Sequence, residues 1–74
     1  MRALIVHVNR PELLDDLVGA LRKSGCRARA TGPWSCAVEH LDAVDDNEAR
    51  VEVTFFLRAW QTRHDAVQAA VAPA

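Results

Sequence analysis

The apolar residues of this chain change their period at Asn9-Arg10-Pro11, and that change constrains the first third of any fold it can adopt. Before the change they alternate. Leu4, Val6 and Val8 fall on one side, with Ala3, Ile5 and His7 on the other, so residues 2 to 8 read as a β-strand. After it, Leu13, Leu14, Leu17, Val18 and Leu21 recur at the spacing of one helix face. Asn9 with Glu12 three residues on forms a capping box, and Val8 and Leu13 suit a hydrophobic staple across it. Pro11 lies in the first turn, where its missing N–H leaves no hydrogen bond unmade. Arg22 and Lys23 complement the negative end of the helix dipole, and Gly25 suits the left-handed residue that follows a helix. A strand followed by a helix over about residues 10 to 24 is the reading.

The next segment alternates small apolar residues with Arg27, Arg29 and Thr31, as a half-exposed strand does. Gly32-Pro33 marks a turn, and residues 35 to 41 resume as a strand, which makes a hairpin with Trp34 at its corner. Residues 51 to 58 admit two readings. Val51, Val53, Phe55 and Leu57 alternate with Glu52, Thr54, Phe56 and Arg58, as in a strand. At the helical period, Val53, Phe56, Leu57 and Trp60 share a face instead. Asp45-Asp46-Asn47-Glu48 supplies a second capping box, no Gly or Pro interrupts the stretch to His64, and its length is normal for a helix and long for a strand. A helix over about 46 to 63 is therefore predicted, with residues 66 to 71 as a short last strand. The competing order makes residues 50 to 59 a strand and 63 to 72 a helix. The favoured order, βαββαβ, predicts an α+β ferredoxin-like sandwich: one domain over residues 1–74, a four-stranded antiparallel sheet, and both helices on one face.

The run Val6-His7-Val8-Asn9-Arg10-Pro11-Glu12-Leu13-Leu14, continuing through Leu17-Val18 and Leu21 to Gly25-Cys26, resembles the opening of an ACT domain. That family is a βαββαβ regulatory module that typically binds amino acids. Its usual pattern is a strand, Asp-Arg-Pro-Gly-Leu-Leu, an apolar helix stripe and a Gly before the second strand. Here Asn9 stands for the Asp, and both residue types cap helices. Glu12 stands for a Gly that lets the backbone approach a bound amino acid, and a carboxylate there would repel a ligand carboxylate. The resemblance implies the fold, side-by-side pairing through sheets or helices, and a ligand site at Asn9, Arg10, Pro11 and Leu13.

Charge narrows the function classes. Nine basic against ten acidic residues give a formal charge of −1, unlike the concentrated basic surface of a nucleic-acid binder. RNA-recognition modules of this topology stack bases on aromatics of the central strands, and those strands carry none here. The charges are segregated, however: Arg22, Lys23, Arg27 and Arg29 form a basic block, and Glu39, Asp42, Asp45, Asp46, Glu48 and Glu52 an acidic one. Opposite patches on a small domain suit self-association. No apolar run approaches the roughly 20 residues of a membrane span. Two cysteines make no disulfide framework, so reduced thiols and a cytoplasmic location are expected, with no membrane partner.

Side chains that could carry chemistry are few. His7, His40, His64, Cys26 and Cys36 lack the spacing of a metal site, and Cys26 is expected opposite a residue near Glu39, out of register for a bridge to Cys36. His7 and Glu39 are expected as neighbours on the open sheet face, the ingredients of a general base in a small dimeric enzyme, although no nucleophile completes them. No catalytic residue, metal or cofactor is assigned. Fifty per cent hydrophobic residues in only 74 positions leave more large apolar groups than a thin core can hold. Ile5, Arg27, Arg29, Trp34, Leu41 and Phe55 are therefore the expected contact residues of a binding or regulatory module, acting as a homodimer or on a protein partner. Sensing of a small-molecule ligand at the strand–helix junction is the second expectation.

Overall fold

In a computed structural model, which describes residues 3–64 and 66–73, the opening alternation becomes strand β1 (Leu4–Val8), buried and exposed by turns. A 3-10 turn (Pro11–Leu13) leads into helix α1 (Leu14–Lys23), whose Leu14, Leu17, Val18 and Leu21 are buried. Gly25 follows with φ of 96°, the left-handed residue that the sequence places there. Strands β2 (Cys26–Gly32) and β3 (Ser35–His40) form the hairpin, with Pro33 and Trp34 between them. Helix α2 (Asp46–Gln61) and strand β4 (Ala69–Val71) complete the order.

The sheet runs β2-β3-β1-β4 and every pairing is antiparallel. One face packs Leu4, Val6, Val8, Cys36 and Val38 into a single core with the α1 stripe and with Ala49, Val53, Leu57 and Trp60 of α2. Both helices therefore lie on that face, and the arrangement is compatible with a ferredoxin-like sandwich. Helix wins over strand for residues 46–61 because the cap is real. Asp45 Oδ1 accepts from the Glu48 N–H at 2.8 Å, and Glu48 Oε1 accepts from the Val44 N–H at 3.4 Å. The helices are tied together at one end, where Trp60 Nε1 donates to Asp16 Oδ2 at 2.9 Å. His64 Nε2 lies 3.2 Å from the same oxygen, and its ring leans on Trp60 at 4.6 Å between centroids.

Two local expectations fail, each for a tertiary reason. The Asn9 capping box does not form. Asn9 Oδ1 instead accepts the Gln68 N–H at 2.7 Å, while the Asn9 N–H donates to Gln68 O at 3.0 Å. Neither the 3-10 turn nor α1 has a side-chain cap. Glu12 turns to Arg10 at 2.9 Å, and its own backbone N–H and that guanidinium hold its carboxyl below the usual range. Strand β4 is also shorter than residues 66 to 71: Ala66 has φ of 56°, outside the extended region, and Gln68 gives its N–H to the Asn9 side chain, so ladder pairing starts at Ala69.

Both sheet edges receive a helix side chain. Arg22 Nε of α1 donates to Ala28 O of β2 at 3.0 Å, and Gln61 Nε2 of α2 donates to Ala69 O of β4 at 3.2 Å. Each removes one bare carbonyl from an edge strand.

Candidate functional site

Alternation that sends Val6 and Val38 into the core sends their neighbours to the uncovered side of the sheet. There the register sets Ile5 opposite Ala37, which in turn faces Arg29, and sets Arg27 opposite Glu39. His7 lies between Ser35 and Ala70. Ala37 is buried although no helix covers it, since a side chain this short lies below its larger neighbours Ile5 and Arg29. The face thus has Ile5 and Ala37 on its two central strands, Ala70 on the β4 edge beside His7, and Arg27, Arg29 and Glu39 along the other side.

The six expected contact residues do not share one surface. Ile5, Arg27 and Arg29 are together on this face. Trp34, 52% exposed, caps the hairpin, and its carbonyl accepts the Val8 N–H at 2.8 Å. Leu41, 54% exposed, follows β3 in a turn. Phe55, 61% exposed, belongs to the helical layer on the other side of the sheet. It neighbours Val51 one turn earlier, and the Arg58 guanidinium lies 5.9 Å from its ring centroid. Val44, more exposed than any of these, had no signal in the sequence beyond its place between two acidic turns.

The pairing of His7 with Glu39 is corrected by the register. Glu39 stands opposite Arg27, and extending the β1–β3 ladder brings it opposite Ala3, four residues from His7. Four strand residues span about 13 Å, beyond any proton transfer between the two side chains. Cys26 faces His40, a residue next to Glu39 as expected, and Cys36 faces Ala30, so the two are out of register for a bridge. Both thiols are free and buried. Among the described residues no three His, Cys, Asp or Glu side chains gather where a metal ion could be held. At the strand–helix junction, the Asn9 oxygen and the Arg10 guanidinium already have partners within the chain, and Pro11 and Leu13 form the 3-10 turn beside them.

Burial pushes the Cys36 thiol up to about 11, and it raises Cys26 as well, against a weak contact from Ser24 Oγ. A thiol that stays protonated in the fold while the unfolded chain ionises favours unfolding as pH rises. The stability owed to Cys36 is therefore complete below about pH 9 and falls progressively up to about pH 11. Urea midpoints at pH 9 and pH 11 should drop less in Cys36→Ala than in the parent chain; equal drops would contradict the assignment.

Comparison with family models, with curated proteins and with solved structures finds no match to the chain. Among the described residues no helix is long and apolar enough to cross a membrane.

Proposed function

We propose that this chain is a ferredoxin-like, ACT-like binding module with no catalytic activity of its own, working in the cytoplasm as a homodimer through its open sheet face. The observation that carries the reading is the uncovered face itself, with Ile5 and Ala37 on its central strands and charged residues along its side. Apolar centres with polar borders are the anatomy of protein interfaces. The ACT-like part of the reading rests on the resemblance of the Val6 to Leu14 run, and the strand order is compatible with it without being specific to it. Amino-acid sensing at the β1–α1 junction is the weaker reading, because the polar groups of Asn9 and Arg10 are committed within the chain.

Sedimentation velocity from low to high micromolar concentration tests the proposal. The expected species has twice the 8.2 kDa of the chain. Ile5→Glu, on an exposed position, should give a monomer with an unchanged circular dichroism spectrum. A parent chain that stays monomeric at high micromolar concentration refutes the reading, and so does an Ile5→Glu variant that dimerises as the parent does.

A further inference from the structure

Strand β2 is the longest in the sheet and lies at its edge, paired with β3 on one side only. An antiparallel edge strand aims the N–H and C=O of alternate residues away from the sheet. Ala28 is one of these, since its carbonyl accepts from Arg22 rather than from a strand. Ala30, two residues on and opposite Cys36, continues this alternation as far as the irregularity between Ala30 and Gly32, and its methyl is exposed. Arg27 and Arg29 project from the same strand onto the open face, two residues apart and both exposed. Although Arg27 stands opposite Glu39, neither arginine has an ion pair among the described residues. Together with Arg22, Ala28 and Ala37 they line a groove of about 490 Å³, with Glu39 as its single carboxylate.

We infer that this edge receives an extended acidic segment of a partner protein as a fifth strand. Main-chain bonds to the Ala28 N–H and to the outward groups of Ala30 would hold it, the Ala28 carbonyl being taken by Arg22, and carboxylates at alternate positions would meet Arg27 and Arg29. Strand addition uses the backbone for affinity and alternate side chains for specificity, and two arginines at the strand period match two acidic residues at the same period. Charge also selects against a second copy here. Antiparallel self-pairing centred on Ala28 would set Arg27 of each chain opposite Arg29 of the other, and like charges directly opposite are destabilising. The edge lies beside the apolar centre of the homodimer face proposed above, and Arg27 and Arg29 border both.

The test is a labelled, end-blocked peptide, Thr-Glu-Val-Glu-Val-Glu-Val-Thr, titrated against the full chain at low salt and read by fluorescence anisotropy. Saturable binding is expected, with at least a tenfold loss for the Arg27→Glu, Arg29→Glu double variant, whose fold is checked by circular dichroism. Two further peptides carry N-methyl groups on one or the other set of alternate residues. Methylation on the set facing β2 should abolish binding and methylation on the other should not, a result that needs no protein variant. No saturable binding overturns the inference. So does equal binding by both methylated peptides, by the Glu-to-Lys peptide, or by a single-stranded oligonucleotide of equal charge, since each would mean charge attraction without strand addition. Ile5→Glu, the variant expected to dissociate the dimer, should bind the peptide as the parent does, and loss of binding there would overturn an edge site separate from the dimer face.

Discussion

Leu17→Ala is expected to remove most of the stability of this chain. Leu17 is fully buried within the core that joins α1 to the sheet. Truncating a buried leucine to alanine costs about 2–5 kcal/mol, through lost transfer energy and the cavity left behind. A core in a domain of this size rarely supplies more than about 3–5 kcal/mol in all. The two magnitudes are comparable, so the variant should show a broad transition, or none, in urea titrations followed by far-ultraviolet circular dichroism. Phe55→Ser, by contrast, removes a large apolar group that is already in water and should shift stability by no more than about 0.5 kcal/mol. A Leu17→Ala variant with a sharp transition near the parent midpoint would show that the core can close over the lost side chain.

Trp60 carries the second large effect, and a pair of variants separates its two contributions. Trp60→Ala deletes a buried ring between α1 and α2 and should cost about 3–5 kcal/mol. Trp60→Phe keeps most of the apolar area and loses the N–H that donates to Asp16. The Asp16 side chain is more than half exposed, so water replaces the missing donor, and the loss should be about 0.5–1.5 kcal/mol. Chemical denaturation by circular dichroism gives both values without using tryptophan emission. If Trp60→Phe proves as damaging as Trp60→Ala, the tether to Asp16 outweighs the packing, and the helix pair depends on that hydrogen bond.

Much of the open face was legible because strand alternation is strictly local. Knowing that Leu4, Val6 and Val8 face inward is enough to put Ile5 outside, and the same parity puts Arg27 and Arg29 there. Parity says which face a residue takes and nothing about its height along the strand. That is why His7 and Glu39, on the same face of neighbouring strands, turn out to be far apart. The height is set by the length of the connections and by the irregularity in the β2–β3 ladder between Ala30 and Gly32. Phe55 was likewise legible as exposed, but its position on the helical layer followed from which side of the sheet α2 covers.

What the sequence determined by itself rests on interactions within a few residues. The Asp45–Glu48 cap and the left-handed Gly25 form from neighbours that meet whatever the rest of the chain does, and the spacing of the α1 stripe is local too, although its burial needs the sheet. The tertiary structure decided where distant groups compete for the same partner. Asn9 could cap α1 or bind Gln68, and it binds Gln68, because β4 returns beside β1 and offers a backbone N–H that needs an acceptor. The same return leaves α1 to begin through an uncapped 3-10 turn, and it leaves β2 as the long basic strand at the opposite edge.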